Sequence, residues 1–275
     1  MQRYAVCVFL FCVGLALAGC GSGGEVAVST PEERFAAAFA LFEEGDYLEA
    51  VNDFTVITLQ YPGSAVAADA QFYLGECRFR RKEYVLAAFE YSVLKRNYPA
   101  SPRVADAQYR LGLCYYELSP WSSLDQEYTR KAIDEFQAFV EYYPGNTNAS
   151  DAEEKIRELT NRLAKKQYET ARLYTRMQYS KAALLSYDVV IEKYHDTEYA
   201  PLAYLEKAEL LIDRGRYGEA AVLLDSFLTR YPNSVLRARA ERLREDAEEG
   251  GTGQSRSKEQ GAGAAGSRVG VEHRS

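Results

Sequence analysis

Residues 68–77 read ADAQFYLGEC, and 37 residues later, at 105–114, the chain reads ADAQYRLGLC. Seven of the ten positions are identical without a gap. A near-copy at a fixed offset constrains the fold more than any composition does. It describes a unit with an apolar face that one copy cannot bury alone and that stacked copies bury together. The period extends along the chain. Tyr61, Tyr98, Tyr143, Tyr194 and Tyr231 each close a helical run, at spacings of 37, 45, 51 and 37. Eleven residues before each stands an alanine: Ala50, Ala87, Ala132, Ala183 and Ala220. Four residues after each alanine comes a bulky side chain: Phe54, Tyr91, Phe136, Tyr187 or Leu224. A small residue lets two helices approach, and a large one a turn later fills the space beside it. Pro62, Pro99, Pro144 and Pro232 cannot continue a helix and mark its end.

Each unit therefore reads helix, turn, helix, stop. With Leu74-Gly75 in a first helix, Ala and Phe/Tyr in the second and Pro at the close, the unit resembles the tetratricopeptide repeat. The expected fold is an all-α solenoid of five such repeats over about residues 31–235. Repeats one to three occupy 31–149, and repeats four and five 150–245. Two irregularities stand out. LSPWSSLDQEYTRK, with the only tryptophan, Trp121, lengthens repeat three by about eight residues. SDAEEKIRELTNRLAKKQYETARLYTRM has no breaker for 28 residues and predicts one long helix opening repeat four, a stiff strut between repeats one to three and repeats four and five.

The ends carry different signals. Ala5 to Ala18 form a fourteen-residue run without charge, too short to span a bilayer and suited to a signal peptide at 1–19. The run closes in LAGC, which resembles the bacterial lipobox. That resemblance implies cleavage before Cys20 and its acylation, palmitate included, with residues 20–30 as an anchor linker. Gly21 in place of Asp favours the outer over the inner membrane. The Gly-, Ala- and Ser-rich residues 246–275 predict a disordered tail.

Charge and reactive groups exclude several functions. Lys plus Arg number 33 against 40 Asp plus Glu, with no dense basic stripe, which argues against nucleic acid. Two histidines, no Cys-x-x-Cys, no phosphate loop and no Gly-x-Ser-x-Gly leave no enzyme reading, no metal site and no cofactor. Cys77 and Cys114 occupy one column of neighbouring first helices. Stacked helices lie about 8–10 Å apart, too far for an easy disulfide, so both read as buried thiols.

Lipobox, spacer, five repeats, the repeat-three insertion and RLAKKQYETARLYTR together resemble the BamD (ComL/YfiO) family of outer-membrane assembly lipoproteins. The resemblance implies a periplasmic scaffold of the β-barrel assembly machine. Its partners would be the BamA-like barrel-forming subunit, bound through the C-terminal repeats, other assembly lipoproteins, and unfolded outer-membrane proteins received by the N-terminal repeats. Where the family carries an Asp-Arg-Asp-like stretch in the insertion, this chain has Asp125-Gln126-Glu127. The alternative is a repeat lipoprotein that tethers a peptidoglycan-remodelling or other envelope complex.

Candidate binding residues follow from the period. Phe35, Phe72 and Tyr109 share one column of the first helices, and Phe42, Phe79 and Tyr116 a second, seven residues on. These six rings read either as a packing face, since the alternatives Gln71, Arg78 and Gln108 are poor core residues, or as a groove for aromatic-ended peptides. In the last two repeats, Tyr187, Tyr217 and Phe227 lie near the docking platform, and Arg214 and Arg216 are exposed candidates in the turn of repeat five.

Overall fold

A computed structural model describes residues 30–266. The expected signal peptide, the lipidation site Cys20 and the last nine residues lie outside the described residues. Eleven helices follow one another and no strand occurs among the described residues. They are α1 (Pro31–Glu44), α2 (Tyr47–Gln60), α3 (Ala67–Arg80), α4 (Tyr84–Asn97), α5 (Val104–Leu118), α6 (Glu127–Tyr142), α7 (Ala149–Arg176), α8 (Ser180–Lys193), α9 (Tyr199–Asp213), α10 (Tyr217–Arg230) and α11 (Arg237–Gly266). Consecutive pairs form the five repeats, and α11 follows them. The chain divides into two compact units, the first ending at Lys82 and the second beginning at Glu83. The division falls inside repeat two rather than at the 149/150 grouping of the sequence reading.

Local chemistry sets the helix ends. Thr30 caps α1: its hydroxyl accepts the Glu33 N–H at 3.2 Å, while the Glu33 carboxylate accepts the Thr30 N–H at 3.0 Å. The five closing tyrosines are the C-caps of α2, α4, α6, α8 and α10, and each backbone N–H returns to the carbonyl four residues earlier. Between the paired helices of repeats one, two, four and five stands one left-handed residue: Gly45, Lys82, Gln178 or Gly215. Glycine adopts that conformation without strain. Repeat three has the insertion there instead.

In the first unit the core is Ala38, Ala50, Phe54, Ile57, Leu74 and Cys77, with Phe35, Phe39, Phe42 and Tyr73 packed around it. Two apolar clusters lie in the second unit among the described residues. Ala132, Phe136, Phe139, Ala152 and Leu159 form one; Tyr168, Ala171, Ala183, Tyr187, Leu205, Leu224 and Phe227 belong to the other. All five period alanines are fully buried, and so are the residues that follow them by a turn, bar a trace of Tyr187. The small-beside-large logic is visible at Gly112, where a Cβ would meet the Phe136 ring at 2.7 Å.

α7 serves both of these clusters. Ala152, Ile156, Leu159 and Leu163 of its first half pack with α5 and α6, and Tyr168, Ala171 and Tyr174 of its second half pack with α8 and α9. α11 runs past residue 246, where the sequence reading begins a disordered tail. Ala247 is buried, and at Gly250 a Cβ would meet the Tyr217 ring at 2.4 Å. There the glycine permits close approach of helix and ring.

Candidate protein-binding surface

The ring columns sit in packed surroundings within each unit. Phe35 lies 5.6 Å from Phe54 and 6.0 Å from Tyr73, ring centre to ring centre. Phe42 lies 5.2 Å from Tyr73 and 5.6 Å from Tyr47. Phe72 is buried beside Tyr73, and Phe79 is half-buried. In the second unit the Tyr109 ring is 5.4 Å from Phe139 and 5.9 Å from Phe136. Five of the six, Phe35, Phe42, Phe79, Tyr109 and Tyr116, are half-buried, and Phe72 is buried.

Tyr109 and Tyr116 also carry hydroxyls that find partners on α7. Tyr109 donates to Asp151 at 2.5 Å and Tyr116 to Glu158 at 2.6 Å. Both pairs are 42 residues apart, and both members step by seven, so they form two rungs between α5 and α7. Lys155 rests over the Tyr116 ring at 4.6 Å. The bond to Glu158, then burial, pushes the Tyr116 hydroxyl up to about 12, because a phenolate beside a carboxylate is disfavoured. Burial, then the bond to Asp151, raises Tyr109 further. A third rung ties repeats four and five: Tyr168 donates to Glu206 at 2.6 Å and Tyr187 to the same carboxylate at 2.9 Å.

Sequence reasoning missed these rungs, because 42 is not the period of 37. It also took Gln71 and Gln108 for poor core residues. Both are buried; the Gln108 amide donates to the Glu135 carbonyl at 2.9 Å and to its carboxylate at 2.5 Å, and Lys95 holds that carboxylate at 3.0 Å. A glutamine satisfied in this way is compatible with a core.

The two irregularities of the sequence fit one another. The insertion runs beside the middle of α7, where Arg162 donates to the Ser119 carbonyl at 3.0 Å and Lys166 to the Leu124 carbonyl at 2.5 Å. The extra length of α7 is thereby lined by the extra length of repeat three. Beyond it, a groove of about 440 Å³ opens, lined by Ser122, Ser123, Lys166, Thr170, Arg172 and Arg176 among others. A second groove adjoins it through Arg172 and Arg176 and reaches Tyr187 and Glu206.

Of the docking candidates in repeats four and five, Tyr187 and Phe227 are core residues, and Tyr217 packs against Gly250. Arg214 and Arg216 lie in the exposed turn after α9. Arg216 is held by Glu219 through two bonds of 2.7 and 2.5 Å. Cys77 and Cys114 are fully buried, and burial pushes the Cys77 thiol up to about 12, which removes its nucleophilic form at neutral pH. No helix among the described residues is long and apolar enough to cross a membrane.

Comparison with known proteins adds the family. The YfiO family, described as an outer membrane lipoprotein, matches residues 28–212, and a tetratricopeptide repeat model matches residues 202–234. The outer membrane protein assembly factor BamD of Rickettsia prowazekii is 26% identical over 236 residues, covering 85% of this chain and 94% of that protein. BamD of Caulobacter vibrioides is 26% identical over 223 residues, covering 79% of this chain and 73% of its own length. Among solved structures, the TPR2AB domain of yeast Sti1 in its pHSP90 complex aligns at 14% identity with a TM-score of 0.36, covering 79% of this chain and 98% of that one. With its family match spanning repeats one to four and most of α9, the chain belongs to the BamD (YfiO) family of outer-membrane lipoproteins and has a tetratricopeptide-repeat fold.

Proposed function

We propose that the protein is a lipid-anchored periplasmic scaffold of the β-barrel assembly machine. The observation that carries this reading is the family match over residues 28–212, which runs through four complete repeats rather than one. In this reading Cys20 is the acylated mature N-terminus, with palmitate among its chains, and holds the repeats at the periplasmic face of the outer membrane. Acyl chains contribute about 0.8 kcal/mol per buried CH2, so several on one cysteine anchor a domain firmly. Repeats four and five dock the BamA-like barrel subunit, with Arg214 and the Arg216–Glu219 pair on the exposed turn offering charged contacts. In the first unit the rings Phe35, Phe42, Phe72 and Phe79, and in the second Tyr109 and Tyr116, each offer seats for the aromatic ends of unfolded outer-membrane proteins. The protein works by holding partners, without a reaction of its own.

The test is a detergent pull-down of the full chain from its own cells, with mass spectrometry of what accompanies it. Recovery of a large β-barrel protein bearing several periplasmic domains, lost on Arg214→Glu/Arg216→Glu, is the expected outcome. Recovery of cell-wall hydrolases or synthases without a barrel protein would move the chain to a peptidoglycan-tethering role. A Cys20→Ala chain should leave the membrane fraction.

A further inference from the structure

Trp121 is 84% exposed and Leu124 56%, yet the backbone that presents them is fastened from two helices. Gln126, 1% exposed, donates its amide to the carbonyls of Trp121, Leu124 and Asp125 at 2.9, 3.1 and 3.3 Å. Its own carbonyl accepts the hydroxyl of buried Thr129 at 2.7 Å. From α7 come the Arg162 and Lys166 bonds already described, and the Leu124 N–H closes the turn onto the Trp121 carbonyl at 3.0 Å. A side chain displayed on a fixed backbone loses little further freedom when it binds, and tryptophan is over-represented among residues that dominate interface energy.

The neighbouring charge points to the partner. From Arg162 to its end α7 carries Arg162, Lys165, Lys166, Arg172 and Arg176 against Glu169 alone, with Arg162 paired to Glu158, in a chain whose net charge is −7. The groove beside the insertion draws Lys166, Arg172 and Arg176 from this stretch, with Glu169 its one carboxylate and Leu173 an apolar patch on its wall, whereas the adjoining groove adds Glu206, Glu209 and Asp213. Arg172 already lies 3.5 Å from Glu206, whereas Arg176 is exposed and lines both adjoining grooves.

We propose that the repeat-three insertion and this groove form a docking site for an acidic segment of a partner protein. Trp121 and Leu124 enter an apolar recess on the partner, and the partner's carboxylates lie along the groove toward Arg176. A concave groove with three basic side chains against one acidic fits an extended acidic polypeptide. The proposal does not depend on which envelope complex the chain serves.

The test places a photoreactive benzoylphenylalanine at position 124 of the full chain, in its own cells, with position 235 as control, since Val235 is 98% exposed and far from the insertion in sequence. The expected product is one discrete protein adduct, absent from position 235, whose mapped peptide holds more Asp and Glu than Lys and Arg. Its yield should fall roughly tenfold with Trp121→Ala and similarly with Arg176→Glu. Helix content and melting of both variants are compared with the parent, and a variant that melts early is replaced by Trp121→Leu or Arg176→Gln. A lipid-only adduct, a mapped peptide without acidic excess, no adduct above the control, or a yield indifferent to both substitutions would overturn the proposal.

Discussion

In repeat one the ring column is phenylalanine: Phe35 and Phe42 lie against Tyr73 through ring contacts and carry no hydroxyl of their own. Two periods on, Tyr109 and Tyr116 hold the same positions, and each hydroxyl donates to a carboxylate of α7. The change is one oxygen per ring, and its consequence is register. An apolar contact weakens gradually as helices slide, whereas the part-buried Tyr109 hydroxyl pulled from its acceptor is left unsatisfied at a cost of about 1–3 kcal/mol; the exposed Tyr116 bond costs less to break. Repeat three meets a helix of 28 residues, which offers many alternative registers, and there the polar rungs occur.

Substitutions in the two repeats separate what they share from what the added oxygens contribute. The largest effect is expected where the two repeats agree. Phe136→Ala and Phe54→Ala each empty a fully buried site and should cost about 3–5 kcal/mol in urea unfolding. A value near zero for either would sink the shared small-beside-large scheme. Next, Gly112→Ala forces a Cβ against the Phe136 ring and should destabilise the second unit by about 1–3 kcal/mol, despite alanine's better helix propensity. Stabilisation would show that the ring can move aside.

Tyr109→Phe converts a repeat-three rung to the repeat-one kind. It should cost about 1 kcal/mol, and the loss should shrink when Asp151→Asn is already present, as a double-mutant cycle would read. Tyr116 supplies a pH test. Its folded pKa is raised from 10.0 to about 12, so its stabilising contribution is whole below pH 10 and is lost as the pH climbs through about 12. The decline in stability over that window should be shallower in Tyr116→Phe. The smallest effect is expected at Trp121, whose removal should leave stability within about 0.5 kcal/mol of the parent.

The columns of alanine and ring were legible in the sequence because both recur with the helical unit, and the five tyrosine stops were legible for the same reason. The rungs were not. Asp151 and Glu158 meet Tyr109 and Tyr116 only because α7 begins where it does, and that offset obeys no period. Gln108 misled because its partner is a backbone carbonyl, which a sequence does not display. Gly250 stands in the Gly-rich stretch, and its clearance for the Tyr217 ring is a contact the sequence does not display. The insertion and the long helix read as two separate irregularities, and only their contact through Arg162 and Lys166 shows them to be one.

α7 has neither proline nor glycine in its 28 residues, and its two halves belong to different cores. At about 1.5 Å per residue it is a rod of roughly 42 Å, and sharp bends in such rods need a breaker that is absent here. The two clusters it serves in the second unit therefore share a ruler, with their spacing set by the rise of one helix.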